Sequence, residues 1–296
     1  MKIIIFIIVI ICGLTVESFS QIVFIKHYGE FTGQGNSLII NSDGNYVIAG
    51  EKNQGSNYNQ FCSYELNNFG DTLWLKHYGT DSLERAKQII QTIDGGYASI
   101  GLSAGYMSNY QNIYFVKTTN TGVISWAKQF GGQSQENGAA IVQSNTGEYF
   151  IGGASNYNSK GLLDFYFIKT DVNGDTLWTK KYGGILNDEL TSMQQTLDGG
   201  FILSGYSESF SYGGKDYYLI KTNVVGDTVW TKHYGGNLDE ISKSVKQTLD
   251  GGYIIIGYSK SFGISTENIY VVKTNSLGDT LWTKTYGQPG RYSGGQ

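Results

Sequence analysis

The sequence has little of what marks several classes of protein. It contains only 1 Pro, 2 Cys and 3 His among 296 residues, and charged residues make up 16%. With 40% hydrophobic residues it is too apolar to be disordered, and a single Pro excludes collagen. A formal net charge of -4 gives no basic surface, so we expect no nucleic-acid partner. The length fits one large all-β domain or two ordinary domains.

Residues 1–20 have the pattern of a signal peptide. A basic residue precedes an apolar run from Ile3 to Leu14, and Ser18 and Ser20 supply the small residues of a cleavage site before Gln21. The run is shorter than the roughly 20 apolar residues that a spanning helix needs. We therefore expect an exported protein, whether secreted, periplasmic or at the cell surface, with no membrane span.

The two cysteines add little to this interpretation. Cys12 leaves open a lipoprotein signal, although the bulky Ile11 precedes it where a small residue is needed. Removal of the signal peptide leaves Cys62 alone, so we expect no internal disulfide.

A repeat of 52 residues organises the rest of the chain. The five tryptophans are spaced by 52 residues, at Trp74, Trp126, Trp178, Trp230 and Trp282. Glycines keep the same step, at Gly101, Gly153, Gly205 and Gly257. This predicts one repeat domain over 21–296 with five units, at about 30–79, 80–131, 132–183, 184–235 and 236–287. Residues 22–29 repeat the tryptophan-bearing strand once more, and 288–296 form a tail.

Each unit has the pattern of four short strands and no helical period. In the last unit we expect strands at Ser244–Thr248, Tyr253–Ser259, Ile269–Thr274 and Thr280–Tyr286, with Gly-containing turns after the first and third. Four antiparallel strands every 50 residues or so are typical of β-propeller blades. The fold class is therefore all-β, a propeller of five four-stranded blades. Its tryptophans are expected to pack between blades.

The unit DGGYIIIGYS followed by IYVVKTNSLGDTLWTKTYG resembles the repeats of exported bacterial and archaeal β-propeller proteins. It is similar to the family called seven-bladed β-propeller repeats, and the resemblance covers residues 22–287. It implies a propeller fold and a secreted or cell-surface location. It implies no particular activity.

The catalytic inventory is thin. Residues 101–105 match GxSxG but end a strand, where the nucleophile motif needs a strand–turn–helix context. His27, His77 and His233 fall on separate blades and are expected to be exposed strand residues rather than ligands of one metal. Residues 171–175 alternate carboxylates as a calcium loop does, but lack its Gly and its Glu. We expect no catalytic residue, no metal and no cofactor.

Four carboxylates form the best candidate site. Glu84, Glu136, Asp188 and Glu240 recur at 52-residue steps before each first strand, and Gly33 breaks the series in the first unit. If the first strands are innermost, these carboxylates ring one mouth of the channel and could hold a cation or a basic partner. The alternative is that each accepts backbone N–H bonds in its own loop and fixes the crossing between blades.

The loops between second and third strands vary most and are rich in Asn, Ser, Tyr and Gly. Tyr106, Tyr110 and Tyr157 are the candidate ligand-binding aromatics there. Variable loops on a repeated frame favour recognition, so the sequence predicts a non-enzymatic binding or scaffold module for protein or glycan. The alternatives are a polysaccharide-active enzyme using carboxylates at the channel mouth, or an inactive piece of a larger propeller.

Counting strands leaves one unplaced. The first-strand pattern occurs five times and the tryptophan-type strand six times if residues 22–29 are included. The extra strand has no vacancy in a closed five-blade ring. The sequence therefore favours an open arc with exposed blade faces, able to self-associate.

Overall fold

The computed structural model describes residues 33–53, 59–79, 83–104, 110–264 and 266–287. These residues form twenty strands, which pair into five four-stranded antiparallel sheets in sequence order. The expected signal peptide, the strand at 22–29 and the tail at 288–296 lie outside the described residues. No apolar helix of membrane-crossing length occurs in the part of the chain that is described.

The five sheets are named blades 1 to 5. Blade 1 comprises β1 (Gly33–Ile40), β2 (Tyr46–Asn53), β3 (Asn59–Leu66) and β4 (Thr72–Tyr78). Blade 2 comprises β5 (Leu83–Gln91), β6 (Tyr97–Ala104), β7 (Gln111–Thr118) and β8 (Ile124–Phe130). Blade 3 comprises β9 (Glu136–Gln143), β10 (Tyr149–Ser155), β11 (Asp164–Thr170) and β12 (Thr176–Tyr182). Blade 4 comprises β13 (Asp188–Gln195), β14 (Phe201–Ser207), β15 (Asp216–Thr222) and β16 (Thr228–Tyr234). Blade 5 comprises β17 (Glu240–Gln247), β18 (Tyr253–Ser259), β19 (Asn268–Thr274) and β20 (Thr280–Tyr286).

The first strands of consecutive blades contact one another, from β1 to β5, β9, β13 and β17. They are therefore the innermost strands, and each blade's first strand also packs on the face of the blade before it. This arrangement confirms the predicted five-bladed β-propeller.

The first strands begin further upstream than the sequence pattern suggested. In blade 5 the strand starts at Glu240 instead of Ser244, and a register shift between Ser242 and Ser244 marks a β-bulge. The bulge interrupts the alternation of apolar residues, which hid the first half of the strand from a period-2 pattern.

The same bulge explains the repeated glycine of the second strand. A Cβ at Gly101 would lie 1.8 Å from the carbonyl oxygen of Arg85 on the first strand. The equivalent glycines of the other blades face the same clash. Only glycine allows the two backbones to approach this closely, so its 52-residue spacing follows from the bulge.

Aromatic side chains fill the space between blades. Between blades 3 and 4, the ring centroid of Trp178 lies 5.2 Å from that of Phe167, and that of Phe150 lies 4.4 Å from that of Phe201. All four rings belong to one core cluster that spans the two blades. Trp74, Trp126, Trp178 and Trp230 thus pack between blades, as expected, whereas Trp282 is 40% exposed.

Candidate functional site

A row of three residues crosses one edge of each blade. In blade 3, Ser155 pairs in register with Glu136 on one side and with Asp164 on the other. Residues directly opposite one another project to the same face of a sheet. Because neighbouring strands lie about 4.8 Å apart, the Cα atoms of Glu136 and Asp164 are separated by about 10 Å.

The chemistry of this row changes along the chain. In order from blade 1 to blade 5 the rows are Gly33–Lys52–Gln60, Glu84–Ser103–Asn112, Glu136–Ser155–Asp164, Asp188–Ser207–Asp216 and Glu240–Ser259–Asn268. Blades 1, 2 and 5 end the row with an amide. Blades 3 and 4 end it with a second carboxyl group, so they alone carry two.

The four carboxylates predicted from the sequence begin the rows of blades 2 to 5, on innermost strands. All four are buried, so they do not line an open mouth of the channel. Glu240 accepts hydrogen bonds from the amide of Gly236 at 2.6 Å and from Ser259 Oγ at 2.6 Å. Asp188 accepts them from the amide of Gly184 at 2.8 Å and from Ser209 Oγ at 2.7 Å. Asp188 and Glu240 thus each fasten the loop that enters their own blade, which is the alternative given above.

Carboxyl groups of adjacent blades meet behind these loops. A Cβ built on Gly183 would lie 2.1 Å from Asp164 Oδ1 and 2.8 Å from Asp188 Oδ2. Where blades 2 and 3 meet, a Cβ built on Gly131 would lie 2.3 Å from Asn112 Oδ1 and 2.3 Å from Glu136 Oε2, so an amide group takes the place of one carboxyl group. An amide can donate to a carboxylate, whereas two carboxyl groups can do so only if one is protonated.

The electrostatics follow from that difference. Burial raises the pKa of Asp216 to about 6, the amide of Tyr212 opposes the shift, and the charge of Glu240 adds to it. Burial likewise raises the pKa of Asp164, with a further contribution from Asp188. Desolvation and a like charge both disfavour the ionised form. Asp164 and Asp216 are therefore the carboxyl groups best suited to carry a proton.

A cleft of about 270 Å³ opens beside the blade 3 row. Glu136 and Leu163 line it, whereas Asp164, the residue after Leu163, is buried and does not. The remaining lining is mostly amide side chains, from Gln111, Gln135, Asn137, Asn156 and Asn187. Amides can donate to and accept from hydroxyl groups, so the cleft suits a polyhydroxylated ligand.

Lys181 connects to the same row. Its Nζ donates to Ser155 Oγ at 3.0 Å, and Ser155 Oγ donates to Glu136 Oε1 at 3.0 Å. Burial lowers the pKa of Lys181, while Asp164 and Glu136 oppose the shift. A hydrogen-bonded path thus runs from the lysine to the carboxylate at the cleft.

The predicted loop tyrosines are only partly placed. Tyr110 and Tyr157 are exposed, and the carbonyl of Tyr157 accepts a hydrogen bond from Lys181. Tyr106 lies outside the described residues.

His77 is exposed as expected, but His233 is half-buried and stacks on Tyr218 at 4.9 Å between ring centroids. The expectation of exposure was wrong for His233 because an aromatic neighbour covers it.

Sequence reasoning overlooked Asp164 and Asp216. The signal that could have found them is the 52-residue step itself, because the position reads Gln60, Asn112, Asp164, Asp216 and Asn268. The carboxylates are departures from an amide consensus. Among the described residues, no group of three His, Cys, Asp or Glu side chains is arranged to hold a metal ion.

No family model matches the chain, and no curated protein matches it in sequence. Solved structures do match in fold. A protein of unknown function from Bacteroides caccae is 13% identical over 86% of this chain and 82% of its own, with a TM-score of 0.52. An α-L-arabinofuranosidase from Clostridium thermocellum is 11% identical over 91% of this chain and 98% of its own, with a TM-score of 0.43. An exo-β-1,3-galactanase from the same organism is 12% identical over 86% of this chain and 60% of its own, with a TM-score of 0.48.

These comparisons correct the main functional prediction. We expected a non-enzymatic binding or scaffold module, but the structures similar to this chain include enzymes, the galactanase and the arabinofuranosidase. At 11–13% identity the likeness itself concerns the fold.

Proposed function

We propose that this propeller is a polysaccharide-active enzyme that hydrolyses glycosidic bonds at the blade 3 cleft. The observation that carries the proposal is the pair of non-equivalent carboxyl groups in the blade 3 row: Glu136, which lines the cleft, and Asp164, which is buried at the other end of the row. Glycoside hydrolysis uses two carboxyl groups on either side of the scissile bond, one of them holding a proton. Three of the five blades carry an amide at this repeat position, and Asp164 replaces it with a carboxyl group, as a catalytic role would require.

The two groups take different roles. Asp164, whose pKa is raised by burial and by Asp188, is the general acid that protonates the leaving oxygen. Glu136, which lines the cleft and accepts from Ser155, is the base that activates water.

The substrate is bound by the amides of the cleft. Asn137 Nδ2 donates to Glu189 Oε1 at 3.0 Å, which fixes the amide, and Tyr206 donates to the same carboxylate at 2.9 Å. Exposed Tyr157 stands on the adjoining loop. A ring that can stack on a sugar beside fixed amides suits a carbohydrate chain.

The location follows from the N-terminal pattern and from the resemblance to exported propeller repeats. An apolar run ending before Gln21 supports export, and a polysaccharide is a substrate found outside the cell membrane. We therefore place the activity outside the cytoplasm.

The test is release of reducing sugar from a panel that includes β-1,3-galactan and arabinan. Asp164→Asn and Glu136→Gln should each lower kcat at least 100-fold. Asp216→Asn, the same change one blade away, is the matched control and should keep full activity. Blades 2 and 5 already carry Asn at this position, so both Asn variants are expected to fold. The proposal fails if no glycan in the panel is cleaved, or if Asp164→Asn is as active as the control.

A further inference from the structure

A lysine recurs on the third strand of blades 2 to 5. Its positions follow the 52-residue step, at Lys117, Lys169, Lys221 and Lys273. In each of these blades the lysine pairs with an acidic residue of the turn between the first and second strands. In blade 2, for example, Lys117 Nζ lies 2.8 Å from Asp94 Oδ2. Four blades thus place an ammonium group of their own beside this turn.

Blade 1 reverses the charge at this position. The 52-residue step places Glu65 where the other blades have lysine. Glu65 pairs in register with Trp74, as Lys117 does with Trp126. The turn residue stays acidic, because Asp43 stands at the position of Asp94 in a first unit that is one residue shorter. Blade 1 therefore carries two carboxyl groups where the other blades carry a lysine and a carboxyl group.

The carboxylate of Glu65 is buried and held in place by four neutral donors. Its Oε1 accepts from the side-chain amides of Asn41 at 3.0 Å and Asn45 at 2.8 Å. Its Oε2 accepts from Trp74 Nε1 at 2.6 Å and from the hydroxyl of Tyr97 at 3.4 Å. Neutral donors orient a carboxylate, but they bring no positive charge to balance it.

A cleft of about 390 Å³ opens at this carboxylate, where blades 1 and 2 meet. Both carboxyl groups line it, and so do the rings of Trp74 and Tyr97, whose centroids lie 5.9 Å apart. None of the described residues that line the cleft is basic. The cleft adjoins the turn after β1, at the opposite edge of the blades from the Glu136 row, so it is separate from the site proposed above.

We propose that this cleft binds an aliphatic primary ammonium group, supplied by a lysine side chain of a peptide or by a free alkylamine. The ligand takes the place that an internal lysine occupies in the other four blades. Its ammonium group meets the carboxylates of Glu65 and Asp43, which attract it by charge. The aromatic faces of Trp74 and Tyr97 add a cation–π attraction and cover the alkyl stem. The proposal does not depend on the proposed enzymatic activity.

The test measures binding by NMR titration at low salt with three probes. They are a terminally blocked Gly-Lys-Gly peptide, the same peptide with norleucine in place of lysine, and n-butylamine. The two ammonium probes should bind, and the norleucine peptide, which lacks only the charged group, should bind at least about tenfold more weakly. Tighter binding of the lysine peptide than of butylamine would assign a peptide as the source of the ammonium group, and the reverse order a free amine.

Two variants test the two carboxyl groups. Glu65→Lys fills the cleft with the protein's own ammonium group, as blades 2 to 5 do, and should abolish binding of both ammonium probes. Asp43→Asn changes an exposed turn residue, so it should leave the fold intact and weaken binding about fivefold. Asp198→Asn, the same change at the same turn of blade 4, where Lys221 already occupies the acid, is the matched control and should bind like wild type. Circular dichroism verifies that each variant is folded.

Three results would overturn the proposal. The first is a wild type that binds neither ammonium probe. The second is a norleucine peptide that binds as tightly as the lysine peptide, because the cleft would then recognise an apolar chain and not a cation. The third is an Asp43→Asn variant, or a folded Glu65→Lys variant, that binds the lysine peptide no more weakly than the Asp198→Asn control.

Discussion

The buried carboxyl groups of Asp216 on β15 and Glu240 on β17 approach each other across the boundary between blades 4 and 5. Both place an oxygen within 3 Å of the position that a Cβ on Gly235 would occupy. At the boundary between blades 2 and 3, the same contact pairs Asn112 with Glu136. A carboxyl pair needs one proton to be satisfied, whereas an amide and a carboxylate need none. The stability of this boundary is therefore coupled to pH.

Replacing Asp216 with Asn should remove that coupling. The pKa of Asp216 is raised from 3.8 to about 6, so the folded state holds a proton that the unfolded chain has lost between these pH values. Wild-type stability from this group is full below pH 4 and declines as pH rises to 6, by roughly 3 kcal/mol at most. The variant should be more stable than wild type above pH 6. Urea denaturation at pH 4, 5, 6 and 7 measures the difference.

The reverse change tests the same physics at a boundary that lacks a carboxyl pair. Asn112→Asp should create one with Glu136 and should lower the free energy of unfolding at pH 7 more than at pH 4. An equal loss at both pH values would show that packing, and not ionisation, governs these contacts.

Gly235→Ala should be strongly destabilising. Its Cβ would lie 2.2 Å from Asp216 Oδ1 and 2.7 Å from Glu240 Oε2, so one of two buried carboxyl groups must move. Overpacking of this kind costs roughly 1–3 kcal/mol. Gly132→Ala is the control, because nothing lies within 4 Å of its Cβ. Thermal melts of both variants should separate them by several degrees.

The repeated tryptophans should differ in how much each contributes to the free energy of unfolding. Trp178→Ala removes a ring packed against Phe150 and Phe167 and should cost roughly 3 kcal/mol. Trp282→Ala, on the uncovered face of blade 5, should cost under about 1 kcal/mol in dilute protein. Equal losses in guanidinium denaturation would mean that the face of blade 5 is covered in solution.

Lys221→Met tests an ion pair that recurs in three blades. Lys221 Nζ is buried and lies 2.9 Å from Asp198 Oδ2. Although partial burial opposes the shift, hydrogen bonds from Thr196, Lys221 and the Gly200 amide lower the pKa of Asp198 to about 2.

This stabilisation is present above the unfolded value of 3.8 and is lost as pH falls toward 2. The variant should therefore be less stable by roughly 1–3 kcal/mol at pH 7, with a smaller difference at pH 2. Lys246→Met, which removes an exposed lysine, is the control. A constant difference across pH would contradict the role of the ion pair.

Much of the fold was predictable because its determinants are local and repeated. Local sequence features predicted the turns and three of the four strands of each blade. These features are the 52-residue step, the turn glycines and the residue pattern of the second, third and fourth strands. The first strands were only half predicted, because the bulge before Ser244 breaks their alternation. The carboxylate series was found by its spacing, but its burial was not, since burial depends on the loop entering each blade.

The sequence by itself determined five blades of four strands and the position of the first four tryptophans between them, because a tandem repeat carries the same local pattern five times. Only the tertiary structure decided that Asp164 meets Asp188 and that Asp216 meets Glu240. These pairs join residues of different blades across a packed boundary, and their pKa values depend on the burial found there. The exposure of Leu38 and Ile256 was likewise decided by the arrangement of blades, since identical positions are buried wherever a neighbouring blade covers them.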